Sequence, residues 1–274
     1  MREIEGWRAV IHRVAQFTSG INLRNKLDSV SLVSWALNEE DNVEDFLAKA
    51  QSFCASIADK FEIVIVDDGS TDKTLNLLQL ASEDNAAIIV SSNGINRGVG
   101  YSMKKAISLA QMDFVIWQTQ DWSYDLSSFV ASIGELENFD ILHGTRKLSL
   151  VGRSDDKLKA LISLANFSVI KAIFRAPFTD FQNVTLYPRE ILKSFVLVSN
   201  SSFTSPELLL RSWLSGYSFL EIPVKFIPRS HGVAKGTSFR SISKSILEIL
   251  EFRSKYWPEI QKVSSSKGVV RRNN

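Results

Sequence analysis

The segment Phe61 to Val66 (FEIVIV) constrains this chain most, because a short run rich in strand formers ends on two adjacent carboxylates and a glycine, Asp67-Asp68-Gly69. The same grammar recurs around it. Strands are expected at Val30 to Leu37, Ala87 to Val90 and Asp113 to Trp117. Helices are expected at Val43 to Ile57, Lys73 to Ser82 and Tyr101 to Ala110. Strands separated by helix-length segments favour a parallel sheet with helices on both faces. Sheets of that kind take ligands beyond the carboxyl ends of their strands. Polar clusters stand at four such ends: Asn38-Glu39-Glu40, Asp67-Asp68-Gly69-Ser70, Asn96-Arg97-Gly98 and Gln120-Asp121. They point to one site along one edge.

The second half is less regular. Helices are expected at Asp155 to Phe174, Pro206 to Leu214 and Phe239 to Trp257, a strand at Phe219 to Phe226, and a mobile tail after Pro258. Near the start, Trp7, Val10, Ile11, Val14 and Phe17 fall on one helical stripe, read as a helix docked on the domain. Charges recur through the first residues, which does not resemble a signal peptide, and no apolar run approaches the ~20 residues of a spanning helix. A formal charge of +2 excludes a strong field for nucleic acid. The single cysteine, Cys54, excludes an internal disulfide and a Cys-rich metal site. A cytoplasmic, reducing setting is expected, with attachment to the cytoplasmic face of a membrane left open.

Asp67-Asp68-Gly69-Ser70-Thr71-Asp72 closes a strand and opens a helix. Paired carboxylates there can accept hydrogen bonds from a base N–H and from sugar hydroxyls, while Gly69 permits the turn and Ser70 or Thr71 can cap the helix. A capped turn with solvated acids is the plainer alternative. Two like charges side by side cost energy unless something uses them, which favours a site. A nicotinamide-binding domain needs G-x-G-x-x-G after its first strand, and Ser34 to Glu40 lacks it.

From these residues the chain is identified as resembling the family 2 glycosyltransferases, in particular the polyprenyl-phosphate enzymes such as dolichyl-phosphate mannose synthase, from about Val30 to about Lys235. Val30-Ser31-Leu32-Val33-Ser34-Trp35-Ala36-Leu37-Asn38-Glu39-Glu40 resembles the family's first-strand segment, with Trp35 and Leu37 in place of Pro and Tyr. The resemblance implies a GT-A fold, a Rossmann-like three-layer α/β/α sandwich on a mostly parallel sheet. It implies a donor-nucleotide site of Asn38, Glu39, Asp67, Asp68, Arg97, Gly98 and Lys235, with Glu39 near the ribose and Asp68 reading the base edge. Asn96-Arg97-Gly98-Val99-Gly100 matches the family's N-x-G-x-G. There the glycines admit a ligand to the backbone and Arg97 neutralises phosphate.

The family's D-x-D pair, which holds Mg²⁺ or Mn²⁺ against the donor diphosphate with hard oxygen ligands, reads Thr119-Gln120-Asp121 here. Only Asp121 remains as the implied metal ligand. Three readings stay open: a weakened metal site, a metal-independent enzyme, or a degenerate nucleotide-binding domain without turnover. Asp121 can also be read simply as a helix cap.

On the acceptor side, His143-Gly144-Thr145-Arg146 resembles the family's G-S-R segment and places Arg146 against an acceptor phosphate. Arg153, Lys157 and Lys159 follow; for the two lysines a solvated helix face is the simpler reading. Asp180 is implied as a site carboxylate, with Val184-Thr185 replacing the family's Gly-Phe. Glu207 is a general base if the acceptor is a hydroxyl and a positioning group if it is a lipid phosphate, which is already an anion at neutral pH. Arg229-Ser230-His231-Gly232-Val233-Ala234-Lys235 matches the family's R-x-x-G-x-S-K apart from Ala234, and implies that Arg229 and Lys235 stabilise the leaving diphosphate. The implied organisation is a helical extension over 1–28, a catalytic domain over 29–236, and an amphipathic helix with a basic tail over 237–274. The implied reaction is inverting transfer of a hexose from a UDP- or GDP-sugar to a polyprenyl phosphate or a glycan precursor. The last helix suits either a membrane interface or packing on the domain.

Overall fold

The computed structural model describes residues 21–22, 26–146, 167–181, 184–227, 239–262 and 268–272. Strand β1 (Ile21–Asn22) lies antiparallel to the start of β2 (Lys26–Ala36). Then come α1 (Val43–Ile57), β3 (Ala58–Asp67), α2 (Thr74–Asp84), β4 (Ile88–Ser92), α3 (Val99–Leu109) and β5 (Phe114–Trp117). The second half contributes α4 (Ser127–Ser132), β6 (Ile141–Thr145), α5 (167–174), β7 (Thr185–Pro188) and α6 (Arg189–Lys193). It closes with α7 (Thr204–Leu214), β8 (Phe219–Pro223), α8 (Phe239–Lys262) and β9 (Val270–Arg272).

The strands make one sheet in the order β4-β3-β2-β5-β7-β6-β8-β9, with β1 beside β2. β7 runs antiparallel to both neighbours, as does β1 to β2; every other pairing is parallel. The sheet is thus mostly parallel with helices around it, as expected. Central β2 is buried almost throughout, and its serines survive burial because each hydroxyl has a partner. Ser31 donates to Glu62 Oε1 at 2.6 Å, Ser34 to the Gln118 carbonyl at 2.7 Å and Ser29 to Asp113 Oδ2 at 2.6 Å. Helix α1 turns Phe46, Leu47, Ala50, Phe53, Cys54 and Ile57 inward, the stripe that a period of 3.6 produces.

From β2 the order steps outward to β3 and β4, then returns to β5 on the other side of β2. Right-handed crossovers then put α3 on the face opposite α1 and α2. The order reverses between β2 and β5, and in such sheets the crevice beyond the strand ends at that point is the usual ligand position. Because β7 is antiparallel, the carboxyl ends of β6 and β8 and the amino end of β7 share that edge.

Three expectations need revision. Strand β8 stops at Pro223, and the chain crosses to the loop after β5, with Tyr124 and Phe226 in an isolated bridge. Helix α8 runs through Pro258 to Lys262 instead of ending at Trp257. The tail expected to be mobile returns to the sheet: β9 pairs with β8, and Arg272 Nε lies 3.2 Å from Glu221 Oε2. A buried carboxylate and an open parallel edge give those residues something to bind. The stripe from Trp7 to Phe17, the cations Arg153, Lys157 and Lys159, and the stretch from Arg229 to Lys235 lie outside the described residues.

Candidate active site

The loops after β2 and β3 are laced together by their own side chains. Asn38, held at φ 50°, donates its N–H to Ser70 Oγ at 2.9 Å, and its Oδ1 accepts the Thr71 N–H at 2.7 Å. The Glu39 N–H donates to Thr74 Oγ1 at 2.8 Å, while its carboxylate accepts from Asn42 Nδ2 at 2.7 Å. Glu40 Oε2 accepts the Lys73 N–H at 3.0 Å. Asn38 is exposed and Glu39 half-buried, so both border a shelf at the strand ends.

The adjacent carboxylates have separate tasks. Asp67 turns back on its own loop, accepting from the N–H groups of Gly69 and Ser70 and from Ser92 Oγ at 3.0 Å. Asp68 reaches the loop after β4, taking Asn93 Nδ2 at 2.8 Å and the N–H groups of Arg97 and Gly98 at 2.9 Å each. Backbone donors explain how two neighbouring acids remain buried side by side. Gly69, at φ 80°, passes beneath the Ile95–Asn96 peptide, where an added Cβ would lie 2.5 Å from a backbone carbon. The loop from Asn93 to Gly98 is therefore fixed to β3. At its end Arg97 is exposed, with its guanidinium 4.9 Å from the Tyr101 ring centroid.

Gly100 differs from what the N-x-G-x-G resemblance implied. Its missing Cβ admits this chain's own backbone, since a Cβ there would sit 2.3 Å from Thr204 Oγ1 and 2.4 Å from the Asn200 carbonyl carbon. Gly98, at φ 92°, is the residue before α3 and leaves its loop side more open.

Across the crevice, Asp121 follows β5. Both its carboxylate oxygens are shielded from solvent. Gln120 donates Nε2 to Ser34 Oγ at 2.9 Å, and its buried Oε1 has no hydrogen-bond partner among the described residues. Thr119, where the family has its first acid, accepts the Ser123 N–H at 3.3 Å and so helps to close the turn. Trp122, at φ 49°, meets Phe46 and Phe53 edge-on and anchors that turn to α1. The chain leaving β8 is stitched alongside: Asp125 donates its N–H to the Lys225 carbonyl at 3.0 Å and Ile227 to that of Ser123 at 2.8 Å. No group of three metal-ligating side chains exists among the described residues.

At the same edge Arg146 and Asp180 meet each other. Arg146 Nε lies 2.8 Å and its Nη2 3.2 Å from the two oxygens of Asp180, a bidentate ion pair. Below it, His143 Nε2 approaches the Asp180 carbonyl at 3.0 Å and Nδ1 the Thr185 hydroxyl at 2.7 Å. A ring that donates to the carbonyl accepts from the hydroxyl and is neutral, consistent with burial holding its pKa below the ordinary value. Buried Glu221 accepts the neighbouring Thr179 N–H at 2.7 Å.

Glu207 is fully buried in α7, and its oxygens accept the N–H groups of Val198 and Ser199, the Ser199 hydroxyl and Arg211 Nε. Glu248 of α8 does the same for Asn200 and Ser201. Asn93, which the sequence reading passed over, was findable by the rule that picked out the others, being polar and just beyond a strand. The roles of Ser34 and Gln120 had no such signal, because only pairing of β2 with β5 brings them together.

A family model, glycosyl transferase family 2, matches residues 31–193. The undecaprenyl-phosphate 4-deoxy-4-formamido-L-arabinose transferase of Pseudomonas paraeruginosa is 26% identical over 220 residues, 79% of this chain and 63% of the relative. The chain thus spans less than two thirds of that curated relative's length. An uncharacterised glycosyltransferase of Mycobacterium tuberculosis is 25% identical over 225 residues, 82% of this chain and 96% of the relative. Among solved structures, glucosyl-3-phosphoglycerate synthase from Mycobacterium tuberculosis, in complex with Mn²⁺, UDP-glucose and phosphoglyceric acid, superposes with a TM-score of 0.58 at 14% identity, covering 87% of this chain and 82% of that one.

Proposed function

The chain belongs to glycosyl transferase family 2, and from that membership we propose that it moves a sugar from a nucleoside-diphosphate donor to a phosphate-bearing acceptor, with inversion at the anomeric carbon. One observation supports the reading: the parallel strands β2, β3, β4 and β5 end at one edge of the sheet where the strand order reverses, so the loops bearing Asn38, Glu39, Asp68, Arg97 and Asp121 leave from that edge, and those after β2, β3 and β4 are hydrogen-bonded to one another.

The laced loops after β2 and β3 form the nucleoside shelf. Asp67 and Asp68 hold the shelf and the loop bearing Arg97 and Gly98 in place, so the diphosphate meets a preset guanidinium and a helix entrance. The protein's own donor set toward a cation is the Asp121 carboxylate. One carboxylate with substrate phosphates is an ordinary arrangement for Mg²⁺, so the residues fit a cation that arrives with the donor. Such an ion would offset charge on the diphosphate. The acceptor oxygen attacks the anomeric carbon as the bond to the diphosphate breaks, and Arg229 and Lys235 offset the charge left behind. Asp180 takes the Nε–Nη2 side of Arg146 and so orients the guanidinium, whose charge attracts the acceptor phosphate. A lipid-phosphate acceptor is favoured over a glycan by the relative that acts on undecaprenyl phosphate. Such an acceptor is already an anion and needs no base, which accords with Glu207 being occupied by four donors.

Thermal-shift titrations with UDP and GDP, in Mn²⁺ and in EDTA, test this. One nucleoside diphosphate should raise Tm, and more in Mn²⁺; ligand at 100 times Kd stabilises by about 2.7 kcal/mol. Asp121→Asn should erase the metal-dependent part. The proposal fails if neither nucleotide shifts Tm, or if nucleotide binds without turnover and Thr119→Asp restores none.

A further inference from the structure

Helix α8 has one face committed to the domain. Ile249 and Phe252 are buried, and Phe252 packs against Phe174, Phe203 and Tyr256. Glu248 grips the N–H groups of Asn200 and Ser201 at 3.0 and 3.1 Å. The helix is therefore a fixed part of the surface.

Its other face carries what a solvated helix would not select. Leu247 is 67% exposed, Leu250 49% and Ile246 44%, neighbours at i+3 and i+4 that form one stripe. Exposed Lys244 and Lys255 lie along one side of the stripe and Arg253 along the other. Glu251 is the exposed acid among the described side chains of this helix, because Glu248 points inward. An aliphatic stripe between cations suits an interface in which acyl chains lie beneath anionic headgroups.

We propose that α8 docks this chain on an anionic membrane surface through Ile246, Leu247 and Leu250, flanked by Lys244, Arg253 and Lys255. This deepens the lipid-phosphate reading and rests on it for its purpose, though not for its measurement. A second copy fits the face poorly: three aliphatic side chains fall far short of the ~800 Å² per partner of a standard interface, and cationic flanks would face cationic flanks. The surface is also tied to the candidate site. Asn200 and Ser201, held by Glu248, form the backbone that Gly100 accommodates at the start of α3, two residues after Gly98. A chain seated on α8 would thus keep its donor-side loop in rigid register with the bilayer.

Flotation with vesicles of phosphatidylglycerol and phosphatidylcholine in equal parts, without any donor, tests the proposal. The full chain should float with these vesicles, not with pure phosphatidylcholine, and release as salt rises. Leu247→Ser with Leu250→Ser should weaken binding at least about tenfold, since each leucine gives up most of its burial in the acyl region. Arg253→Gln with Lys255→Gln should weaken it roughly tenfold or more on the anionic vesicles. The replaced side chains are exposed, so unchanged Tm in each variant separates surface loss from misfolding. The proposal is overturned if the wild-type chain stays unbound, if it floats equally with neutral vesicles, or if the serine variants bind as well as wild type. Sedimentation revealing a dimer that the serine variants abolish would give the face to a second copy. Binding seen only after removal of residues 1–20 would give it to the chain's own start. Each result leaves the nucleotide titrations untouched, so failure here is distinct from failure of the transferase reading.

Discussion

Replacing Glu207 by glutamine changes few atoms and should cost the protein much of its stability. The carboxylate is fully buried and accepts from Val198 N–H at 3.1 Å, Ser199 N–H at 2.9 Å, Arg211 Nε at 2.8 Å and the Ser199 hydroxyl. An amide offers one acceptor oxygen and one donor nitrogen. Whichever way it turns, an NH₂ faces either the Ser199 N–H or the Val198 N–H and Arg211. Arg211 then keeps its charge, mostly buried and stacked 4.2 Å from the Tyr256 ring centroid, without its counter-ion. Breaking a buried pair from one side costs about 3–5 kcal/mol. At roughly 2–4 °C per kcal/mol for chains near this size, Tm should fall by about 6–20 °C. Urea unfolding followed by far-UV circular dichroism would show the midpoint falling with little change in slope. Adding Arg211→Met should recover part of the loss, since removing both partners spares the orphaned charge. If Glu207→Gln keeps the wild-type midpoint while abolishing transfer, the carboxylate serves chemistry and the argument from its four donors is wrong.

Two other outcomes follow from the geometry. Because burial lowers the pKa of His143, the unfolded chain takes up a proton below about pH 6.5 that the folded chain refuses. Stability should be full above that pH and fall below it by up to about 1.36 kcal/mol per unit until the folded pKa is reached; His143→Asn should flatten that slope in urea titrations from pH 7 to 5. Gly100→Ala pushes a methyl into Thr204 and Asn200, so it should destabilise by about 1–3 kcal/mol and alter amide exchange in both α3 and residues 200–204; unchanged exchange would refute the close approach.

The first half of the chain was legible because each local signal agreed with the global arrangement. Val43–Ile57 has the helix limits its apolar spacing announces, and the polar residues after β2, β3, β4 and β5 do gather at one edge. Strands β6 and β7 are short and interrupted by His143, Gly144 and Thr185, residues whose burial depends on partners far along the chain. Nothing local marks them. The tail misled for the same reason: Val270–Arg272 has no strand signal of its own, and its place is set by the edge of β8 and by Glu221. Site residues were easier to locate than to interpret. Sequence put Asp67, Asp68 and Glu207 near the chemistry, while hydrogen bonding shows that much of their charge goes into holding loops.

The pairing of β9 with β8 also dictates an order of events during synthesis. Phe219 pairs with Ile141 on one side, its second parallel neighbour is Val270, and Glu221 meets the guanidinium of Arg272. Until the ribosome has released that stretch, a nascent chain with every candidate site loop already made still offers a bare hydrogen-bonding rim to other emerging chains, so maturation waits on a strand that contributes no candidate site residue.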